Sequence, residues 1–258
     1  MPTTAMANSF KVELFCSGHC FLPTYTPAAS AGASGAYTLT GLTSIGGGTY
    51  ATPTFAIVPG MAVTGTGVGA GASVGKLLSG TSVSVDTPNS GTVTTGTVAF
   101  AGDVFKILLI KSASPTGVYD ATLTNVGTPN NSSGGTPSVT NVGTDEIPLS
   151  GGYNAAGGSA LAANFMPALQ SGTTATTTWT VNPSWGSGAT ISTICAVIYN
   201  STPRMGAPAN GITANIGGSS INRVVSVHDF GGTQAVTSGT LTLTLPPNSS
   251  TQAILRIA

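Results

Sequence analysis

Two cysteines and a histidine lie close together near the start of the chain, as Cys16-Ser-Gly-His19-Cys20. Thiolate and imidazole groups are ligands that zinc prefers, but a closed tetrahedral site needs a fourth ligand. Only Cys195 or His228 could supply it, from distant positions in the sequence. The alternative is that the cysteines are small buried apolar residues and that His19 is a hydrogen-bonded residue near a turn. We favour this alternative and predict no metal site.

A glycine-rich segment, Gly65–Lys76, comes close to the phosphate-binding loop of nucleotide hydrolases. That motif needs an opening glycine, which is Ala70 here, and a Ser or Thr after the lysine to hold magnesium, which is Leu77 here. The surrounding sequence also lacks helix signals, and such loops open a helix. The sequence therefore predicts glycines that serve turns and bulges between short strands, and no bound cofactor.

Serine, histidine and carboxylate residues could also build a hydrolase. Gly71–Gly75 fits the pattern G-x-S-x-G around Ser73, but a glycine-rich run precedes the serine where a strand is required. His228 and Asp229 are adjacent in a predicted strand, so their side chains should point to opposite faces. Asp145-Glu146 are neighbours in a predicted loop rather than facing carboxylates. We therefore predict no catalytic residues and no enzymatic activity.

The composition excludes several classes of partner. The chain has 258 residues, of which only 7 are basic and 7 acidic, so 5% are charged; about 25% is usual. Seven dispersed cations cannot form a large phosphate-binding patch, which argues against nucleic acid. No apolar run is long enough to cross a membrane, and three cysteines do not suggest a disulfide framework. A neutral surface rich in glycine, serine and threonine is prone to association, so we expect partners to cover much of it.

Short β-branched segments separated by Gly, Pro and Asn predict an all-β protein. We expect a β-sandwich or jelly-roll-like core of short antiparallel strands, with at most one short helix at Ser9–Phe15, although that segment also alternates like a strand. The large aromatic residues Trp179, Trp185 and Tyr199 are expected to be core or interface anchors. The predicted strands are 51–58, 81–85, 91–100, 104–111, 191–199, 223–230, 240–245 and 253–258.

The distribution of charge predicts two domains. Residues 28–100 contain only Lys76 and Asp86 as charges, whereas both tryptophans and the other twelve charges lie outside this segment. We therefore predict a discontinuous β core formed by residues 1–27 and 101–258, and a small Gly/Thr-rich β module or extended arm formed by residues 28–100.

When the middle segment is left out, the flanks resemble a family of structural proteins from tailed-phage virions. Residues 7–21 are similar to the family pattern N-S-F-K-x-E-L-L-x-G-x-H-x-F, and the segment that starts at Asp103 is similar to D-x-F-K-I-A-L-Y-T-S-A. Three later segments follow in the same order, at residues 188–201, 223–232 and 253–258. Gly152-Tyr153 also resembles the family's G-Y-T-A-G-G. The chain departs from the pattern by its insert and by Cys16 and Cys20 around His19.

The resemblance implies a non-enzymatic virion protein that decorates or cements the capsid through contacts between subunits. The expected partners are other virion proteins, the major capsid protein first, and further copies of the chain. A trimer is favoured by analogy with cement proteins. The protein would be assembled in the host cytoplasm and located in the virion. A tail or fibre component that contacts a receptor is the alternative, and a hydrolase acting on the host envelope is a second one.

Overall fold

A computed structural model describes residues 1–15, 18–22, 24–42, 57–128, 135–149, 151–153, 157–161, 165–171, 173–179, 181–202, 222–249 and 251–257. The chain divides into two compact units. The first comprises Met1–His19, Val104–Met166 and Thr177–Ile257, and the second comprises Cys20–Asp103 and Pro167–Thr176.

The described residues form several antiparallel sheets and one α-helix, so the predicted all-β fold is confirmed. The helix, α1, spans Asn8–Phe15, which decides between the helix and the strand that the sequence allowed there. No helix in this part of the chain is long and apolar enough to cross a membrane. The strands are β1 Ala5–Met6, β2 Thr38–Leu39, β3 Ala62–Thr64, β4 Val74–Ser79, β5 Ser82–Val85, β6 Ala99–Ala101, β7 Phe105–Lys111, β8 Ser159–Ala160, β9 Phe165–Ser171, β10 Thr174–Trp179, β11 Ser184–Asn200, β12 Arg223–Thr242 and β13 Leu255–Ile257.

The first unit is built on a five-stranded sheet with the order β1-β12-β11-β7-β8. Its central part pairs β7 with the second half of β11, and that half of β11 with the first half of β12. Ile107–Ile110 are all buried, as a nearly continuous apolar run in a central strand should be. This buried sheet positions the polar groups described below.

Strands β11 and β12 are much longer than the short strands expected, with 17 and 20 residues. Their pairing is interrupted by four register irregularities, and bulges of this kind bend a hairpin. Gly188 and Ser238 have positive φ angles of 90° and 51° near two of them. Trp185, at the far end of β11, stacks on Tyr153 with 6.0 Å between ring centroids. The hairpin is therefore bent, and part of its length packs on the core of its own unit.

The second unit has its own apolar core, which includes Leu39, Val83 and Phe100. It contains a three-stranded sheet with the order β2-β5-β4 and the pair β3-β6; strands β13, β10 and β9 form another three-stranded sheet, in that order. The predicted module 28–100 lies within this unit, which begins earlier and ends later. The Cys20 amide donates to the Asp103 carboxylate at 2.7 Å, and the Asp103 amide donates to the Cys20 carbonyl at 3.1 Å. The two ends of this long segment are therefore adjacent, as at the ends of an inserted domain.

Some predicted strands differ from those observed. Residues 51–56 lie outside the described part of the chain. In the predicted strand 91–100 only Ala99 and Phe100 belong to an extended strand, β6. Strand β12 ends at Thr242, before the strict Thr/Leu alternation of the sequence ends. Period-two alternation thus indicated extended backbone in these places without defining where pairing stops.

Candidate functional site

The most unusual feature of the first unit is a buried polar network centred on Glu13. This carboxylate, on the inner face of α1, has a fully buried side chain. Its Oε1 accepts hydrogen bonds from Nε and Nη2 of Arg223, and the Nε bond measures 2.8 Å. Its Oε2 lies 2.6 Å from Nε2 of His19. Burial opposes ionisation of Glu13, but the hydrogen bonds from His19 and Arg223 outweigh this effect and hold the pKa of the carboxyl below its ordinary value.

The hydrogen-bond partners of His19 define which of its ring nitrogens donates and which accepts. The Thr202 amide donates to Oδ1 of Asn200 at 2.9 Å, so the Asn200 amide nitrogen must point the other way. That nitrogen lies 2.9 Å from Nδ1 of His19 and donates to it. Nδ1 is then the acceptor and Nε2 carries the proton that is donated to Glu13. His19 therefore donates to Glu13 and accepts from Asn200, while Arg223 forms a buried ion pair with Glu13.

Three segments that are distant in sequence position this network. Glu13 lies on α1, His19 follows it, Asn200 is the last residue of β11 and Arg223 is the first residue of β12. Phe10, one turn before Glu13, packs against the His19 ring with 4.8 Å between centroids. The network joins the helix to the central strands of the sheet. The sequence did not predict it, because no local motif places these four residues together.

Of the cysteine and histidine cluster, His19 and Cys20 lie within the described residues and Cys16 lies outside them. Both ring nitrogens of His19 are engaged by Glu13 and Asn200, and Cys20 is buried. Cys195 is also buried, in β11, and burial raises the pKa of its thiol to about 12. Within the described ranges no three His, Cys, Asp or Glu residues are grouped as metal ligands.

The two glycine-based motifs lie in extended structure. Gly75 and Lys76 belong to strand β4, so a strand follows the glycines where a phosphate-binding loop would open a helix. Ser73 immediately precedes the same strand, although the hydrolase motif requires a helix after its serine. The Ser73 hydroxyl donates to one oxygen of Asp86 at 2.5 Å, and its amide donates to the other at 2.6 Å. These contacts join β4 and β5 at the end of the hairpin opposite its turn.

His228 and Asp229 occupy successive positions of β12, opposite Ala196 and Cys195 of β11. Nε2 of His228 is 2.9 Å from the Ser226 hydroxyl. Burial lowers the pKa of His228 to about 4, so the imidazole is neutral at physiological pH. Asp229 instead accepts a hydrogen bond from the Gly231 amide at 3.1 Å. The two residues thus have separate partners, and the structure does not join them as an acid–base pair.

The neighbouring carboxylates Asp145 and Glu146 are both buried, in a segment that the sequence predicted to be a loop. Asp145 ends a short 3-10 turn that begins at Gly143. Its Oδ2 accepts bonds from the Thr116 amide, the Gly117 amide and the Tyr119 hydroxyl at 2.7–2.8 Å. Burial opposes ionisation, but these bonds and the nearby Lys111 lower the pKa of Asp145. This carboxylate therefore stays charged in the interior.

In Glu146, the effect of burial on the pKa outweighs that of the hydrogen bonds. Its Oε1 accepts bonds from the Tyr153 hydroxyl at 2.9 Å and from the Gly157 amide at 2.6 Å, whereas its Oε2 is buried and has no hydrogen-bond partner among the residues that the structure describes. Burial dominates and raises the pKa of Glu146 above its ordinary value. The prediction that Asp145 and Glu146 do not face one another agrees with their separate sets of partners. Their burial was missed, because surrounding Gly, Asn and Ser residues suggested an exposed loop.

The three large aromatic residues singled out from the sequence are in the interior. Trp179 and Trp185 are buried, and Tyr199 is fully so. Trp179 packs against Phe105 with 5.5 Å between centroids, and the Tyr199 hydroxyl donates to the Gly157 carbonyl at 2.8 Å. Of the two roles that the sequence allowed, these contacts correspond to core anchors.

Burial of charge leaves the surface even less charged than the composition implies. Both glutamates of the chain are buried, and so are Asp145 and Arg223. At the same time, several large apolar side chains are exposed, among them Phe15 at 93% and Val12 at 51%. Strand β4 also exposes Leu77 and Leu78. The outside of this protein is therefore mainly hydroxyl, backbone and apolar surface.

Comparison with protein-family models, with curated proteins and with solved structures finds no match.

Proposed function

We propose that this chain is a non-enzymatic structural protein of a tailed-phage virion, which decorates or cements the capsid. The proposal combines the sequence resemblance with the fold. Five of the resembling segments coincide with α1, β7, most of β11, the first half of β12 and β13, whereas the one at Gly152-Tyr153 lies between strands. These five segments supply the helix and the three central strands of the main sheet.

The observation that carries the proposal is the buried network. Glu13 and His19 come from the first resembling segment, Asn200 from a later one and Arg223 from the next. These residues are up to 210 positions apart and bond to one another in the interior. A chance similarity in short, separate segments would not be expected to supply all members of one buried network. This convergence supports the interpretation that the segments belong to one ancestral core.

The surface supports an assembly role. A monomer with zero net charge and few surface charges associates readily. Protein interfaces are depleted of charge at their centre and rich in apolar contacts. Because such contacts depend little on charge, we expect binding that changes little with salt. The proposal includes contacts with the major capsid protein and with further copies of the chain; the trimer remains a prediction by analogy.

A gene deletion with add-back tests the proposal. Virions produced without the gene should form, but should lose their DNA at lower temperature or during osmotic shock. Purified protein added to these particles should bind and restore their resistance. Cryo-electron microscopy should then show it on the capsid surface. Density only on the tail would favour the tail alternative, and no binding to any part of the particle would contradict the proposal.

A further inference from the structure

The outer edge of strand β12 is covered along its first part only. The Val224 amide donates to the Thr124 carbonyl at 3.1 Å, and the Ala7 amide donates to the Val225 carbonyl at 3.0 Å. Strand β1 then pairs with Ser226 and Val227. The Thr4 hydroxyl, which accepts from the Asp229 amide at 2.9 Å, is the last of these covering groups among the described residues.

Beyond Asp229 the edge is open in the part of the chain that the structure describes. Residues 231–235 are exposed in succession, and so are Thr237, Ser238 and Thr240. On its other side β12 pairs with β11 at Gln234–Val236, Gly239, Leu241 and Thr242. The far edge of β11 is covered at Thr190 and Ser192, because the Thr190 amide donates to the Gly151 carbonyl at 2.6 Å and the Ser112 amide donates to the Ser192 carbonyl at 3.1 Å. The bent hairpin therefore offers an open edge on β12, along residues 231–242.

This edge lacks the charged and proline residues that usually prevent strands from pairing between molecules. Residues 231–242 read G-G-T-Q-A-V-T-S-G-T-L-T, without a charge or a proline. Proteins protect exposed edges by shortness, charge, proline or bulges. The other outer strands of the described sheets are shorter or carry a charge or a proline: β1, β2 and β8 have two residues each, β3 and β6 have three each, β4 contains Lys76, β9 contains Pro167 and β13 contains Arg256. The open part of β12 has none of these and is protected only by the irregularities of its pairing with β11.

We infer that residues 231–242 form a homodimer interface by antiparallel pairing with the same strand of a second copy. An uncharged strand meets itself without like-charge repulsion, and it offers nothing to attract a charged partner. The edge of the sheet opposite β12 is closed by β8 and by the Ile147 amide, which donates to the Leu109 carbonyl at 3.0 Å. One open edge for each copy gives a closed twofold pair and no filament.

The irregularities of β12 define the register of this pair. Gln234–Val236 pair regularly with β11, whereas the register shifts before Gly239, where Ser238 has a φ of 51°. A twofold axis at Ser238 places Gln234–Val236 of each copy opposite Thr240–Thr242 of the other. The two copies then pair in two places, one on each side of the axis, and the bulge lies at the axis itself. This inference rests on the proposed function and assigns its contacts between copies to one strand, with a twofold pair in place of the trimer expected by analogy.

The test compares the full-length protein with two variants across a concentration series. Ala235→Lys combined with Thr240→Lys adds charge to both paired runs, and Ser187→Lys adds one to an exposed position on the partner strand β11. Native mass spectrometry should give twice 25.2 kDa for the wild type and for Ser187→Lys. The double variant should be monomeric, with its apparent dissociation constant raised at least ~10-fold, and with an unchanged circular dichroism spectrum.

Hydrogen exchange provides a second measurement that does not depend on substitution. Amides within 234–242 should exchange more slowly in the wild-type dimer than in the diluted monomer. Three results would overturn the inference. The wild type could be a monomer at all concentrations, or it could be a trimer. The double lysine variant could also remain a dimer, with no protection from exchange in 234–242 of the wild type. A trimer that still binds particles would leave the proposed function standing, whereas failure to bind particles would count against that function separately.

Discussion

Replacing Glu13 by glutamine should strongly destabilise the first unit. The substitution keeps the shape of the side chain but removes its charge, so the Arg223 cation remains buried with no compensating carboxylate. The new amide group also faces the Nε2–H donor of His19. A change of His19 tautomer would only move this donor–donor conflict to Asn200, whose orientation is fixed by the Thr202 amide.

The expected magnitude follows from the burial of both partners. Their side chains are 0% and 3% exposed, and removal of one member of a buried ion pair costs about 3–5 kcal/mol. A typical domain has a free energy of unfolding of about 5–15 kcal/mol. For a chain of this size, such a loss lowers the melting temperature by on the order of 10 °C. The variant should therefore fold, but with much reduced stability.

Urea unfolding followed by tryptophan fluorescence measures this effect. Both tryptophans are buried in the first unit, so their emission reports on its unfolding. Lys11→Gln is the matched control, because Lys11 is exposed on the same helix; it should change the free energy of unfolding by less than ~0.5 kcal/mol. Replacing Glu13 by Leu and Arg223 by Met together should cost less than Glu13→Gln alone.

Two results would refute this reasoning. The first is a loss below ~1 kcal/mol for Glu13→Gln, the typical effect of an arbitrary point substitution. The second is a double replacement whose cost equals the sum of the two single replacements, since that would show no coupling between Glu13 and Arg223.

Three further predictions concern other buried groups. Glu146→Gln should leave stability at pH 8 unchanged or higher, because the raised pKa of Glu146 means that its charged form is unfavourable in the folded state; a marked loss in the same urea assay would show that the charge is needed. Because the pKa of His228 is lowered, the contribution of its neutral imidazole to the free energy of unfolding is fully present above pH 6.5 and is lost as pH falls to about 4. The urea midpoint of His228→Gln should therefore fall less over this range than that of the wild type, and parallel curves would contradict the assignment. Iodoacetamide should modify Cys20 and Cys195 only after unfolding, since both are buried; peptide mass spectrometry would reveal any labelling in the native state.

The sequence predicted those parts of the structure that depend on local pattern. The apolar run of β7 and the β-branched residues of β11 and β12 indicated sheets, whereas the separate module at residues 28–100 stays a prediction. The helix α1 was one of two options, because Phe10, Val12 and Leu14 alternate as well as they fit a helical face. The structure shows the helix, from which Glu13 bonds to Arg223.

The buried polar groups could not be predicted in the same way. The partners of Glu13 lie 6 and 210 positions away along the chain, and their meeting depends on which strands become neighbours in the sheet. Asp145 and Glu146 follow a polar stretch that usually forms an exposed loop, yet backbone amides and tyrosine hydroxyls replace water around them. Because every segment has backbone amides, the sequence does not show which of them will bind a buried carboxylate. The bend of the β11–β12 hairpin likewise depends on bulges at positions that the alternation does not mark.

The copy number of this protein in purified virions tests the central claim most directly. Quantitative mass spectrometry with isotope-labelled peptides from the chain, normalised to the major capsid protein, gives copies for each particle. We predict hundreds of copies, as expected for a protein that covers the capsid. A few to tens of copies would contradict capsid decoration in favour of a tail component, and absence from the virion would contradict a structural role altogether.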